Sequence, residues 1–218
     1  MLELSIVIPN YLLPDKNCEL LSFTRRCVES LRLHCHDYEL IVVDNGSSVG
    51  GGYLRTVADV YIRNRSNLGY AKAVNQGLKL AGAEWLVVSN NDVTFLDDWA
   101  ATAIAAWESN TGALSSHLHD HDPEHKAGVE HVPWGRMFGA LWMTRRDVLD
   151  KAGYLDEGYG LGMFEDKDFW RRLLAAGYGL LKAGWCQHIG NATWGKLPDQ
   201  QDVYLRNKAR FETCWGGA

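Results

Sequence analysis

The residues best suited to chemistry in this chain are polar side chains that follow short apolar runs. Trp85-Leu86-Val87-Val88-Ser89 leads straight into Asn90-Asn91-Asp92, so an apolar strand ends on two carboxamides and a carboxylate. That Asp offers a hard oxygen donor of the kind that takes a divalent cation which also holds phosphates. Asn and Asp are favoured in turns for local reasons too, so by itself the stretch reads equally as a strand and its turn. The pattern recurs where Ile6-Val7-Ile8 meets Pro9-Asn10-Tyr11, and where Ile41-Val42-Val43 meets Asp44-Asn45-Gly46-Ser47. Asp44 is placed to accept from a nucleobase N–H or a ribose hydroxyl, as an acid does in dinucleotide folds, or else to cap its turn. A fourth cluster, Glu165-Asp166, sets two carboxyl groups side by side, and their repulsion would raise the pKa of one. Its plainer reading is the acidic first turn of a helix.

These clusters need a scaffold, and hydropathy spacing supplies one. Ile6 to Ile8 is a β-branched strand halted by Pro9, and Leu20, Phe23, Cys27, Val28 and Leu31 recur at helical spacing. Strand, helix and then the strand 39–43 make a βαβ unit, so the strands should be parallel with a right-handed crossover. That places the first three polar clusters on one edge of the sheet, where ligands bind in open α/β folds. Further along, the spacing predicts a flexible turn at Gly50-Gly51-Gly52, a strand over 60–62, a helix over 70–81 and the strand 85–89. A helix from Phe95 to about Glu108 and a short strand at 113–115 follow. From His117 to His131 the chain is rich in His, Asp and Glu without a period, and reads as a surface loop over the site. The second half continues with a strand-like run over 138–143, a short helix from Arg146 and a glycine-rich loop over 158–162. A helix from Glu165, a strand at 178–181 and a closing helix over 204–215 complete it. The pattern is α/β with a mostly parallel, Rossmann-like central sheet flanked by helices and a smaller region in the second half.

Bulk properties narrow the function classes. A chain of 218 residues suits one sizeable domain, and a net charge of −5 gives no electrostatic footprint for nucleic acid. No apolar run approaches the roughly 18 residues needed to cross a bilayer. The start, Leu2 to Pro9, lacks the basic opening of a signal peptide and reads as a strand. Five cysteines, scattered and without a Cys-x-x-Cys pair, argue for reduced thiols in a cytoplasmic protein. Neither a Gly-x-x-x-x-Gly-Lys-Ser/Thr loop nor a Gly-x-Gly-x-x-Gly loop is present.

In ordered pieces over nearly its whole length the chain resembles the family 2 glycosyltransferases, inverting nucleotide-sugar enzymes of GT-A fold. Ser5 to Tyr11 is similar to the family's first strand and its turn, and Ile41 to Ser48 to the strand whose Asp holds base or ribose. Asn67-Leu68-Gly69 through Asn75-Gln76-Gly77 resembles the family's Asn-x-Gly helix start. Ser89-Asn90-Asn91-Asp92 stands in the place of the Asp-x-Asp metal motif, and Phe164-Glu165-Asp166 near the Glu-Asp catalytic motif. His188 stands where many members carry a metal-ligating histidine. The resemblance implies a single domain over 1–218, with a nucleotide-sugar half over 1–115 and an acceptor-binding and catalytic half over 116–218. It implies Pro9, Asn10, Tyr11, Asp44, Asn67, Gly69, Asn75, Asn90 and Asn91 at the nucleotide sugar, and Asp92 with His188 on Mn2+ or Mg2+. Asp166 would be the general base with Glu165 beside it, and Trp134, Trp142 and Trp194 are candidates for stacking on the acceptor. One departure stands out: Asn90 replaces the first acid of Asp-x-Asp, so it can serve metal or ribose only as a neutral group. An Asn-Asn-Asp stretch of this kind is often seen in rhamnosyl-type transferases.

The donor implied is a UDP-, dTDP- or GDP-sugar, and the acceptor a glycan, a lipid-linked saccharide or a protein. The setting would be polysaccharide synthesis in the cytoplasm or at the inner face of the membrane. Two rivals are a nucleotidyltransferase, which would need a basic glycine-rich loop after the first strand, and a non-catalytic carbohydrate-binding protein of the same fold. Pro9 to Pro14 contains no such loop, and the acids and histidine argue against the second.

Overall fold

Strand residues in this protein alternate between two apolar layers, and that alternation sets the architecture. In the computed structural model, which describes residues 4–15, 18–121, 128–190, 192–197 and 199–216, the first strand is β1 (Leu4–Asn10). Its Ile6 and Ile8 pack toward α1 (Glu19–His34), while Val7 points to the opposite layer. Next come β2 (Tyr38–Asp44), α2 (Gly51–Val57), β3 (Val60–Arg63), α3 (Tyr70–Leu80) and β4 (Trp85–Ser89). Then follow β5 (Val93–Phe95), α4 (Trp99–Ala105), β6 (Thr111–Leu118), β7 (Glu130–His131) and β8 (Leu141–Arg145). The chain closes with α5 (Arg146–Ala152), α6 (Glu165–Ala175), β9 (Gly179–His188) and α7 (Gln200–Trp215). Helices α1, α2 and α4 cover one face of the sheet, and α3, α5 and α6 cover the other.

The sheet runs β3-β2-β1-β4-β8-β6-β9-β5, with β7 added on β9. Strands β3, β2, β1 and β4 are parallel, as the βαβ pattern demands. Beyond β4 the sheet is mixed, because β8 enters antiparallel between β4 and β6, while β9 runs parallel to β6. These directions carry the C-terminal ends of β1, β2, β4 and β9 and the N-terminal ends of β5 and β8 to one edge.

Three expected elements differ. The triple glycine opens α2 rather than a loose turn, because Leu54 and Val57 bury one turn later. The helix expected from Phe95 begins at Trp99 with Asp98 as its cap, since Phe95 is fully buried in β5. His117 lies inside β6, buried, with Nε2 3.0 Å from the Gly128 carbonyl and its ring on Trp185. The centre of the His-rich segment, 122–127, lies outside the described residues.

Candidate active site

One cavity of about 410 Å³ opens on the shared sheet edge. Its first wall comes from the chain's first half: Pro9 and Asn10 at the end of β1 with Tyr11 after them, Asn45 after β2, and Asn90 to Asp92 after β4. Carboxamides dominate, and their orientations are set by hydrogen bonding. Asn45 donates to Asn67 Oδ1 at 2.9 Å and to the Gly69 carbonyl at 3.1 Å, while its own Oδ1 accepts from Asn64 and the Leu68 amide. Asn91 donates to Thr24 Oγ1 at 2.9 Å. Gly69 sits at φ +95°, and a Cβ there would lie 2.6 Å from the Gly160 carbonyl carbon, so only glycine lets the two loops meet.

The second wall carries the acids. Met163 and Phe164, at φ 72° and 75°, are successive non-glycine residues in the left-handed region, an uncommon and strained turn that starts α6 on the cavity. Asn207 of α7 holds this turn by donating from Nδ2 to the Tyr159 and Gly162 carbonyls at 2.7 and 2.6 Å. Glu165 and Asp166 therefore face the cavity from the first turn of α6. Glu165 is buried, and its Oε2 has no hydrogen-bond partner among the described residues. Asp166 Oδ1 accepts from the Lys167 amide at 2.8 Å. Burial, and after it the charge of Asp166, pushes the Glu165 carboxyl well above the usual carboxylate range, and burial raises Asp166 as well.

Pairing of β5 with β9 sets Val93 opposite His188, which brings Asp92 to the histidine. His188 Nε2 lies 3.0 Å from Asp92 Oδ1, both side chains are mostly buried, and Phe138 packs edge-on against the imidazole ring at 5.2 Å. Among the described residues no group of three or more His, Cys, Asp and Glu side chains is placed to hold a metal. Asp92 and His188 are thus a two-donor set, suited to a cation whose other ligands come from substrate and water. No lysine or arginine lines the cavity among the described residues.

Other expected residues stand elsewhere. Asp44 is fully buried and off the cavity, accepting from the Tyr61 hydroxyl at 2.7 Å and the Ser47 amide at 2.8 Å and paired with Arg63. In these contacts it builds the turn. Asn75 is also off the cavity, bonded reciprocally to the backbone of Leu155 and donating to Glu157. Trp142 is 1% exposed in the core against Phe169 and Trp170, which closes it to an acceptor. Trp134 packs on Phe211 and under Arg171, off the cavity, and of the three candidates Trp194 alone lines it. Spacing overlooked Tyr70 and Asn207. A polar residue on the apolar stripe Val203, Asn207, Phe211 was the available signal for Asn207.

The family model described as glycosyl transferase family 2 matches residues 5–126. Among solved structures, the chain is similar to the mannosyltransferase PcManGT of Pyrobaculum calidifontis, a complex with GDP-Man and Mn2+. That likeness has 16% identity and a TM-score of 0.72, and covers 95% of this chain and 63% of the other. It is also similar to GalNAc-T7, a structure with UDP, GalNAc and Mn2+, at 16% identity and a TM-score of 0.75, covering 98% of this chain and 48% of the other. The chain thus spans about half to under two thirds of those proteins, and at this identity the likeness speaks for the fold, a GT-A α/β sandwich. No curated protein sequence matches it.

Proposed function

The chain belongs to glycosyl transferase family 2, and from that premise we propose an inverting transfer of a sugar from a nucleoside diphosphate to an acceptor hydroxyl. The observation that carries this reading is the facing of two pairs across one cavity, Asp92 with His188 and Glu165 with Asp166. The carboxamide wall of Asn10, Asn45, Asn67, Asn90 and Asn91 receives the nucleotide sugar through neutral hydrogen bonds. Asp92 and His188 would hold Mn2+ or Mg2+, a choice supported by the two-donor set and by the Mn2+ in both neighbours. When bound, such a cation supplies Lewis acidity and offsets the charge of the departing diphosphate, which no lining lysine or arginine meets.

Asp166 takes the proton of the acceptor hydroxyl as that oxygen attacks the anomeric carbon. The bond from that carbon to the diphosphate breaks on the opposite face, which inverts the configuration. A raised pKa suits a base that must accept and then release a proton near neutrality. Buried Glu165, with an unpartnered oxygen, accepts from a sugar hydroxyl and keeps the acceptor in register. Trp194 offers its face to the C–H surface of the acceptor, beside Leu197, Met163 and Leu161.

The donor is a UDP-, GDP- or dTDP-sugar, and the acceptor a saccharide, free or carried on lipid or protein. A panel of these donors, assayed for nucleoside diphosphate release with and without Mn2+ or Mg2+, tests the reading. Turnover with one donor, dependent on cation and lost in both Asp92→Ala and Asp166→Ala, is expected. Turnover unaffected by both substitutions would overturn the site, and the anomeric configuration of the product would overturn inversion if it matched the donor's.

A further inference from the structure

Asn90 occupies the position where an acid is expected, and its surroundings decide what it offers. Its backbone is fixed on both sides: the amide donates to the Ala140 carbonyl at 2.7 Å, and its carbonyl accepts from Ser89 Oγ at 3.0 Å. Among the described residues the side chain keeps one protein partner, the Tyr70 hydroxyl, 2.9 Å from Oδ1.

In this contact the Tyr70 hydroxyl donates and Asn90 Oδ1 accepts. Burial, followed by the charges of Glu165, Asp166 and Asp92, raises the Tyr70 pKa well above its ordinary value, so the phenol keeps its proton. That proton needs an acceptor, and the partner present is the Asn90 carboxamide. Turning the amide over would take from the phenol proton the acceptor it now has.

We infer that Tyr70 is a positioning residue that holds Asn90 Oδ1 inward and presents its Nδ2 to the cavity. On the glycosyltransferase reading, Asn90 is thereby a hydrogen-bond donor to oxygens of the nucleotide and is excluded as a ligand of the cation. Asn91 donates one Nδ2 hydrogen to Thr24 Oγ1, and its Oδ1 has no partner among the described residues.

The test is titration of UDP, GDP and dTDP, with Mn2+ present, into wild-type protein and variants, with Tm recorded as the check on folding. Asn90→Asp keeps the shape and still accepts from Tyr70, but turns a carboxylate oxygen instead of N–H toward the nucleotide. It should weaken the bound nucleotide by about tenfold or more, and by more than Asn90→Ala does. Tyr70→Phe frees the amide to turn and should weaken binding several-fold in wild type. The same change should cost nothing further on an Asn90→Ala background, an interaction that a merely structural tyrosine would not give. Asn90→Asp binding as tightly as wild type or tighter would overturn the inference, because that is what a metal-ligating oxygen predicts. Additive losses for Tyr70→Phe and Asn90→Ala would overturn the positioning role of Tyr70. A wild type that binds none of the three nucleotides would instead overturn the reading of the site on which the inference rests.

Discussion

Gly139 gives the most direct test of Asp166. It has no positive φ, so alanine fits its backbone, and its consequence is steric. A Cβ at this position would lie 3.0 Å from Asp166 Cγ and 3.2 Å from Asp166 Cβ, and closer still to Oδ2. Ordinary carbon contacts begin near ~3.5 Å, so the carboxylate must retreat by roughly 0.5 to 1 Å. Its other oxygen is tied to the Lys167 amide, which limits how it can turn. A misplacement of about 1 Å costs on the order of 100-fold in rate, or ~2.7 kcal/mol of barrier. Gly139→Ala should therefore lower kcat about 100-fold while nucleotide affinity stays within a few-fold. Its Tm is recorded as the check on folding, because the added Cβ meets the Asp166 side chain rather than open space. Gly135→Ala is the control, since nothing lies within 4 Å of its added Cβ. Steady-state nucleoside diphosphate release and calorimetric binding separate the two quantities. Full kcat in Gly139→Ala would refute the idea that Asp166, in this position, is the base.

Three further outcomes follow from the same geometry. The raised Glu165 carboxyl means that the folded protein holds a proton which the unfolded chain releases above its ordinary value of 4.5. Wild-type stability is therefore complete below that value and declines as pH rises through the raised folded value. Glu165→Gln should melt several degrees higher than wild type at pH 8 and equally at pH 4, and a Tm difference independent of pH would contradict this. Asp92→Ala and His188→Ala should each weaken Mn2+-dependent nucleotide binding at least tenfold, with little effect on binding measured in EDTA; equal losses in both conditions would argue against a shared cation. Asp44→Asn should cost about 2–3 kcal/mol in urea unfolding through its lost charge-assisted hydrogen bonds. Nucleotide affinity should stay within a few-fold, and an unchanged stability with lost affinity would return Asp44 to the nucleotide.

Strand ends were legible in the sequence because local chemistry writes them. β-Branched runs stopped by Pro9, Asp44 and Asn90 place three polar clusters on one edge once the βαβ unit makes the strands parallel. The site's carboxylates and histidine were likewise visible as residues, and the resemblance gave them roles. Periodicity, however, reports which side of an element is apolar, and it is silent on what packs across from it. Trp142 thus read as an available aromatic ring, although alternation along β8 turns it onto Phe169 and Trp170. Asp44 read as a ligand group, whereas the β2–β3 register sets Arg63 directly beside it and pairs its carboxylate inside the fold.

By itself, then, the sequence determined the α/β alternation, the polar strand ends and the inventory of acids, carboxamides and histidine. Tertiary structure alone decided which of these meet. The short β5 pairs antiparallel with β9 and brings Asp92 to His188, a contact between segments that no local propensity links. It also decided the polarity of Asn90, because a carboxamide has two unlike ends. Which end faces the cavity depends on the hydrogen that Tyr70 places on its oxygen.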